Sequence, residues 1–430
     1  MPKYEVYKDS QVQWIGDIPA NWHLEKAKWL FYKADRKPLV DDDIVTCFRD
    51  GQVTLRKNRR TEGFTNALKE HGYQRICKGD LVIHAMDAFA GAIGVSDSDG
   101  KSTPVYAACV PRKKGKVNSY YYAYYMRDLA LSGFIVSLAK GIRERSTDFR
   151  FNDFAELLLP FPDYEEQTRI ANFLDKKTAL IDEAIAIKEQ QISLLKERKQ
   201  IIIQQAVTQG LDPNVPMKDS GVDWIGKIPA HWDLVKLGSC LSPVSVKNCS
   251  ELPLLSITRE QGVIERDVDD KESNHNFIPD DLSGYKKLEK GQFGMNKMKA
   301  WQGSYGVSKF TGIVSPAYFI FDFTKAINPE FFNWAIRSKL YVSFFGSASD
   351  GVRIGQWDLS KARMKVIPFV LPSEEEQLLI AKHLDEKLEQ VDVAIKIKLQ
   401  QIERLREYRS SLINSAVTGK IKITPEMVEQ

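Results

Sequence analysis

The sequence contains two copies of one unit, and this internal repeat constrains the fold more than any other feature. Residues Asp9–Trp22 read DSQVQWIGDIPANW, and residues Asp219–Trp232 read DSGVDWIGKIPAHW. The offset of 210 residues that relates these Trp boxes also relates Glu166-Gln167 to Glu376-Gln377 and Ala206–Thr208 to Ala416–Thr418. A repeat of this length predicts a pseudo-symmetric molecule, which should meet a partner that also presents two related surfaces.

Two segments of the repeat are predicted to be long helices. Residues 165–208 and 374–418 are rich in Ile, Leu, Ala, Glu, Gln and Lys and contain neither glycine nor proline. Each start has capping-box spacing, since Asp163 stands three residues before Glu166 and Ser373 three before Glu376. Gly210 and Gly419 follow the ends, as is typical of helix C-termini.

Both helices carry seam positions at alternating steps of three and four residues, the spacing of a coiled coil. These positions are Thr178, Ile181, Ile185, Lys188, Ile192, Leu195, Lys199 and Ile202 in the first helix, and Leu388, Val391, Ile395, Lys398, Ile402, Leu405, Arg409 and Leu412 in the second. Each helix would be roughly 65 Å long. We expect an antiparallel pair, because the chain between the helices must leave the end of one and reach the start of the other. The alternative is two helices that each pack on a separate domain.

The segments that precede the two helices are also related, at an offset of 212. KGDLVIHAMDAFAGAIGVS aligns with KGQFGMNKMKAWQGSYGVS, and both predict short strands joined by glycine turns. Between these landmarks nearly every surface residue differs. We therefore predict an α+β fold, with two mixed α/β domains separated by two long antiparallel helices that form a coiled coil. The predicted divisions are 1–22, 23–162, 163–210, 211–232, 233–372 and 373–430, in which 1–22 packs near the C-terminus and 211–232 holds the second Trp box.

The composition limits the cellular setting and the chemistry. The sequence contains no run of eighteen or more apolar residues, so it predicts no membrane span. Its N-terminus lacks the apolar h-region of a signal peptide. The five cysteines are scattered without a CxxC pair, and the six histidines have no metal-ligand spacing. This pattern indicates a reduced, cytoplasmic protein without structural zinc. The net charge of +4 permits nucleic-acid binding without requiring it.

No catalytic motif has support in the sequence. GVSDSDGKS at 94–102 resembles a phosphate-binding loop, but it has five residues between the glycines instead of four, and a strand-like segment follows it. No Ser-His-Asp, Cys-His or Gly-rich cofactor motif appears. The tyrosines of YYYAYYM at 120–126 are interpreted as core residues of a helix rather than as a base-stacking platform. The chain is therefore expected to be non-catalytic and to hold no cofactor of its own.

Basic clusters in the two variable segments are the candidate nucleic-acid contacts. Arginine reaches guanine edges, glutamine reaches adenine, and lysine mostly neutralises phosphate. The first segment supplies Arg49, Arg56, Lys57, Arg59, Arg60, Arg112, Lys113, Arg143 and Arg145, and the second supplies Arg259, Arg266, Lys297, Lys299, Arg353 and Gln356. Charged loops are also common for solubility, which is the simpler interpretation of any single residue. The clusters together, beside glycine turns and aromatic residues such as Trp301 and Trp357, favour contact with DNA.

Several residue groups together resemble the specificity subunit of a Type I restriction-modification system. They are the two Trp boxes, the phrases LLLPFPDYEEQTRIANFLD and VIPFVLPSEEEQLLIAKHLD at the helix starts, and the AVT endings. The resemblance implies that each variable domain is a target-recognition domain for one half of a split, asymmetric site in double-stranded DNA. It also implies two modification subunits that carry S-adenosylmethionine, and restriction subunits that use ATP and Mg²⁺ for translocation. The alternative is a coiled-coil scaffold whose two domains bind proteins rather than DNA.

Overall fold

The computed structural model of the chain describes residues 1–59, 71–138, 148–267, 278–351 and 357–429. Its internal contacts divide the chain into two compact units. The first unit comprises Met1–Lys188 with Gln400–Gln430, and the second comprises Glu189–Leu399. Each unit therefore contains one globular segment together with part of each long helix.

The first unit mixes short strands with helices. Its strands are β1 Tyr7–Asp9, β2 Asp17–Pro19, β3 His23–Lys26, β4 Phe31–Lys33, β5 Val45–Cys47, β6 Val53–Leu55, β7 Gln74–Ile76, β8 Leu81–His84, β9 Ile93–Val95, β10 Gly100–Ser102, β11 Tyr106–Pro111 and β12 Leu158–Phe161. Its helices are α1 Ala27–Leu30, α2 Ser119–Leu131, α3 Phe134–Leu138, α4 Phe151–Ala155, the start of α5 Tyr164–Gln209, the end of α9 Glu374–Val417, and α10 Pro425–Glu429. The segment 94–102, whose sequence resembles a phosphate-binding loop, runs from β9 into β10. The next element is a strand, β11.

An antiparallel sheet of order β4-β11-β8-β9 forms the centre of this unit. Alternate residues of β8 point to opposite faces. Leu81 and Ile83 join the main core with α2, while Val82 joins a smaller core with β5 and β6. The sheet is therefore buried on both faces, which makes it a rigid support for the turns at its ends.

The tyrosines of α2 belong to the main core, as predicted, with one exception. Tyr121, Tyr122 and Tyr125 are buried, and Trp22 of the first Trp box packs edge-on against Tyr121. Tyr120 is 46% exposed, so the prediction of a core position is wrong for this residue. It is the first tyrosine of the helix and lies on the face turned away from the sheet, where the helical period leaves one position for solvent.

The second unit repeats this architecture. Its strands are β13 Met217–Asp219, β14 Lys227–Pro229, β15 Asp233–Lys236, β16 Leu241–Val244, β17 Leu255–Thr258, β18 Gly262–Glu265, β19 Lys286–Leu288, β20 Phe293–Asn296, β21 Tyr305–Val307, β22 Gly312–Val314, β23 Tyr318–Phe323, β24 Ser349–Asp350, β25 Asp358–Leu359 and β26 Pro368–Leu371. Its helices are α6 Pro329–Ile336, α7 Lys339–Ser347, α8 Lys361–Lys365, the end of α5 and the start of α9. The sheet order β16-β23-β20-β21 corresponds strand by strand to that of the first unit.

The two long helices run antiparallel to each other within each unit. In the first unit, Lys188 donates to Gln401 at 2.8 Å and Arg409 pairs with Asp182 at 2.8 Å, so rising numbers in α5 meet falling numbers in α9. In the second unit, Lys199 pairs with Asp392 at 2.7 Å. The predicted seam positions are buried or half-buried in both helices. The predicted α+β fold with an antiparallel coiled coil and an internal repeat is confirmed.

Both helix starts are attached to their units by a Glu-Gln pair. Gln167 accepts from the backbone N–H of Asn118 at 2.8 Å and donates to the carbonyls of Lys116 and Pro162. Its neighbour Glu166 accepts from the indole N–H of Trp22 at 2.9 Å. The helix start thus joins α2, β12 and the Trp box through two adjacent side chains.

The second unit repeats these contacts with different residues. Gln377 accepts from the backbone N–H of Asn328 at 2.8 Å and donates to the carbonyls of Ala326 and Pro372. Glu376 accepts from the indole N–H of Trp232 at 3.0 Å. The repeated Trp and Glu-Gln residues are therefore partners in one structural joint.

The glycines after the long helices allow close packing on the same tryptophans. Gly419 has φ +75°, and a Cβ there would lie 2.6 Å from Pro19 and 3.1 Å from Trp22. Gly210 has φ +78° and lies similarly against Trp232. In the first unit the N-terminal segment adds further contacts, because Tyr7 donates to the carbonyl of Gly419 at 3.1 Å.

Replacing Gln167 by alanine should destabilise the first unit by roughly 2–3 kcal/mol, since buried backbone groups lose their partners. Urea denaturation of the purified chain measures the change in the free energy of unfolding. Gln191→Ala is the matched control, because Gln191 is an exposed residue of the same helix. Equal effects of the two substitutions would contradict this account of the joint.

Candidate nucleic-acid interface

In each unit a half-buried arginine holds a β-hairpin beside the turn that follows the central strand. Arg127 of α2 donates to the carbonyls of Gly91 at 3.1 Å and Arg49 at 3.3 Å. Burial lowers the pKa of the Arg127 guanidinium. The backbone of Arg49, at the tip of the β5–β6 hairpin, is thereby fixed next to the β8–β9 turn.

The same arrangement recurs in the second unit. Arg337, directly after α6, donates to the carbonyls of Tyr305 at 2.7 Å, Glu260 at 2.8 Å and Arg259 at 3.2 Å. Burial lowers the pKa of this guanidinium as well. Arg259 therefore occupies the position in the second unit that Arg49 occupies in the first.

Two of the predicted contacts meet at one cleft of the first unit, whose volume is about 680 Å³. Arg49 pairs with Asp87 at 2.8 Å and Arg59 pairs with Asp50 at 2.7 Å. The guanidinium of Arg59 also lies 4.2 Å from the centre of the Phe48 ring. Each arginine is held by one carboxylate and keeps other N–H donors for a ligand.

His84 and Tyr106 form the floor of this cleft. Their ring centres are 4.5 Å apart, and the backbone N–H of Asp87 donates to Nδ1 of His84 at 3.1 Å. Burial lowers the pKa of His84, against the opposing effect of Asp87. A neutral imidazole that already accepts a hydrogen bond at Nδ1 serves to shape the turn.

Arg56 and Lys57 lie farther along the same segment, in the short 3₁₀ helix Arg56–Asn58. Arg56 donates to the hydroxyl of Thr46 at 3.2 Å, and Lys57 pairs with Asp43 at 2.5 Å. Lys57 is mostly exposed and is free to exchange this partner, since a surface ion pair contributes little stability.

Arg112 and Lys113 are not brought to this cleft. They follow the far end of β11, whereas Tyr106 of the cleft begins that strand. Arg112 donates to the carbonyl of Lys28 at 2.6 Å. Six strand residues separate the two ends by roughly 20 Å. The structure therefore places these two residues apart from Arg49 and Arg59, and their role in DNA binding stays a prediction.

In the second unit Lys297 and Lys299 lie on the turn after β20. Lys297 pairs with Asp358 at 3.1 Å, and the side chain of Lys299 is exposed. Arg259 pairs with the neighbouring Glu260 at 2.6 Å, and Arg266 follows the end of β18. Near this turn the rings of Trp301 and Trp357 lie 5.0 Å apart.

Five of the predicted contacts lie outside the described residues. They are Arg60, Arg143, Arg145, Arg353 and Gln356. The DNA-binding role of all the named residues stays a prediction.

The structure also places Lys33 and Met86, which the sequence did not single out as contacts, beside Arg150, which belongs to a basic segment of the sequence. A second cleft of about 390 Å³ lies beside the first and is lined by Lys33, Met86 and Arg150, with Tyr106 shared between them. Met86 and its equivalent Met298 are each 54% exposed. Their alignment at the offset of 212 was the sequence feature that could have pointed to these methionines. An aligned methionine is, however, more often a core residue.

The described residues provide few means of catalysis. Among them, no group of three or more His, Cys, Asp or Glu side chains is arranged to hold a metal ion. Burial raises the pKa of the Cys47 and Cys109 thiols, which makes them poor nucleophiles. None of the helices in the described residues has both the length and the apolarity needed to cross a membrane.

Two known specificity subunits are similar in sequence to this chain. No family model matches it. It is 24% identical over 463 residues to the putative type I restriction enzyme MjaX specificity subunit of Methanocaldococcus jannaschii, an alignment that covers 98% of each protein. It is 27% identical over 204 residues to the type I restriction enzyme EcoDI specificity subunit of Escherichia coli, covering 46% of this chain and 40% of that protein.

Solved structures share its fold. A chain from a structural study of complex assembly and conformational transition of the type I R-M system matches with a TM-score of 0.67 at 12% identity, covering 93% of this chain and 98% of that one. The HsdS subunit from Thermoanaerobacter tengcongensis matches with a TM-score of 0.53 at 14% identity, covering 94% and 98%. The predicted resemblance to Type I specificity subunits, the class that was expected to be non-catalytic, is confirmed.

Proposed function

We propose that this chain is the DNA sequence-specificity subunit of a Type I restriction-modification complex. In this proposal each globular segment is a target-recognition domain for one half of a bipartite, asymmetric site. One observation supports it: the two units share a backbone arrangement but present different residues at the same turn, such as the half-buried Asp87 and the exposed Lys299. Related surfaces with different side chains suit two unlike half-sites. The similarity to named specificity subunits supports the same function.

The basic residues would divide between positioning and recognition. Lysines such as Lys57 would neutralise phosphates and set the register of each unit on the duplex. Arg49 and Arg259, at equivalent hairpin tips, would approach base edges, because a guanidinium can donate two hydrogen bonds to guanine.

The two long helices would set the gap between the half-sites. An antiparallel coiled coil has a length fixed by its number of heptads. Half-sites read from one side of the duplex would lie about one helical turn apart.

Exposed apolar residues on α5 support binding of partner subunits to the helices. Leu180 and Ile187 in the first unit are 49% and 48% exposed, and Leu194 and Ile201 in the second are 57% and 48% exposed. Within each pair the spacing is seven residues, so both members lie on one helix face. Apolar rows of this kind mark surfaces that another helix covers.

The partners in this proposal are two modification subunits and the restriction subunits that translocate DNA. S-adenosylmethionine, ATP and Mg²⁺ would bind to those subunits, and this chain would hold no cofactor. The complex would work in the cytoplasm, where it meets the DNA of the cell. Specificity would thus reside in one chain and chemistry in the others.

DNA binding by the complex with modification subunits should weaken steeply with salt. Neutralising six to ten phosphates lowers the affinity by roughly 10³-fold or more between about 50 and 200 mM salt. Fluorescence anisotropy with genomic duplex fragments measures this slope, and mapping of N6-methyladenine with and without the chain identifies the site. Failure to bind DNA at low salt, with no methylation that depends on the chain, would favour the scaffold that binds proteins.

Inserting one heptad at matching points of α5 and α9 should lengthen the unspecified gap and leave both half-sites unchanged. The gap is expected to grow by roughly three base pairs, because seven helical residues add about 10.5 Å. Mapping of the methylated motif checks this outcome. A motif with changed bases and the original gap would contradict the role of the helices as the spacer.

Changing Ile187 and Leu194 to aspartate should prevent the modification subunits from co-purifying with the chain. A charge in an apolar contact cannot be buried without a large desolvation cost. Gln190→Asp, at an exposed position between them, is the control and should leave assembly intact. Circular dichroism of the double variant checks that the helices remain. Normal assembly of the double variant would exclude this face.

A further inference from the structure

We propose that the turn after the central strand is the base-contacting element of each unit. The recognition turns are defined as residues 84–87 in the first unit and 296–299 in the second. In this inference Met86 and Met298 contact base edges, and Asp87 and Lys299 make the two units prefer different bases. It rests on the proposed function, which supplies DNA as the ligand, and it adds the residues that determine specificity.

The two recognition turns have the same backbone. Both lead through a 3₁₀ turn to a glycine, Gly91 or Gly303, with φ +89°. Each turn also accepts one hydrogen bond from a residue outside the sheet. The backbone N–H of Phe149 donates to the carbonyl of Ala85, and that of Leu359 donates to the carbonyl of Lys297, each at 3.1 Å. The strands that carry them, β8 and β20, each pair with strands on both sides. A rigid support of this kind suits a site that must present side chains accurately.

The first residue of each turn makes hydrogen bonds within the protein. The ring of His84 lies 4.5 Å from that of Tyr106 at a tilt of 48°, and its Nδ1 accepts from the backbone N–H of Asp87. Asn296 accepts from the backbone N–H of Met298 at 3.1 Å and donates to the hydroxyl of Tyr318 at 3.3 Å. These residues therefore hold the shape of the turn and leave contact with DNA to the residues that follow.

The third residue of each turn is an exposed methionine. Met86 and Met298 each have 54% of their surface exposed, although the neighbouring strand residues are buried. Single exposed apolar residues are ordinary. The same residue exposed to the same extent on both copies of one turn indicates a surface that is covered in the complex. A flexible thioether chain fits uneven surfaces, and apolar side chains contact the methyl group of thymine in the major groove.

The charge of each turn differs at two positions around this methionine. The first turn has Ala85 and Asp87, and the second has Lys297 and Lys299. A carboxylate accepts from the amino group of cytosine, whereas an ammonium group donates to guanine or to phosphate. Asp87 acts together with Arg49, its partner at 2.8 Å. Identical backbones with opposite charges are a direct means of giving two half-sites different sequences.

The surroundings of the first turn favour DNA over a protein partner. Arg150 lines the same cleft as Met86, and Arg49 lines the neighbouring cleft that shares Tyr106, with 75% and 66% of their side chains exposed. Each is paired with one carboxylate, and surface ion pairs of this kind contribute at most about 1 kcal/mol. Arg150 can therefore exchange its partner for a phosphate when a duplex covers the methionine, while Arg49 together with Asp87 faces base edges.

The test uses the full chain assembled with its modification subunits and a randomised duplex library as the probe. Met298→Ala and Lys299→Asp are expected to alter preference at one or two base pairs of one half-site, with roughly ten-fold lower discrimination. Met86→Ala and Asp87→Lys are expected to alter the other half-site. Sequencing of the methylated products gives the preference at every position.

Two control variants come from the same unit. Lys290→Asp changes another exposed lysine, at the other end of β20, and Met217→Ala removes an exposed methionine from β13, just before the second Trp box. Neither should change the recognised bases. Lys299→Ala replaces Lys299→Asp if the reversed charge prevents assembly.

Unchanged half-sites in all four turn variants would overturn the inference and leave the proposed function standing. A change in the same half-site from both units would also overturn it. Methylation of the library that does not depend on the wild-type chain would instead overturn the proposed function. The two failures are therefore distinguishable in one experiment.

Discussion

The joint at the start of each long helix is the interaction on which the rest of the structure depends. Gln167 and Gln377 are buried and form hydrogen bonds with backbone groups of two other elements. Glu166 and Glu376 each accept a hydrogen bond from the indole N–H of a Trp-box residue. A buried amide with its donors and acceptor all used specifies one orientation, because any other leaves polar groups unpaired. The direction in which each helix leaves its unit is fixed in this way, and the seam between the helices continues from it.

The repeat separates what each unit needs for folding from what it presents to a ligand. The sheet, the half-buried arginine and the helix joint recur with nearly the same contacts. The residues on the surface around the β8 and β20 turns differ in size and charge. Such a division permits the surface to change while the core stays the same, since exposed substitutions have small effects on stability. A specificity subunit with two unlike recognition surfaces is consistent with this arrangement.

Much of the fold could be predicted because it depends on local patterns. The helix bounds differ from the predicted ones by at most one residue at each end, since capping residues and glycines act within a turn. The candidate interface was harder to predict, because its members are distant in sequence. Arg49 meets Asp87 across 38 positions, whereas the basic cluster at Arg112 lies at the other end of a strand. The exposure of Tyr120 within a run of buried tyrosines likewise depends on which helix face meets the sheet.

The sequence by itself determined the duplication, the two long helices with their antiparallel seam, and the class of protein that the chain resembles. These follow from periodicity and from short phrases whose physical meaning is local. The tertiary structure decided which charged residues share a surface, and it showed that Met86 and Met298 are exposed at the same point of two copies of one turn. Packing brings together side chains from separate strands and loops, and no spacing along the chain encodes that meeting.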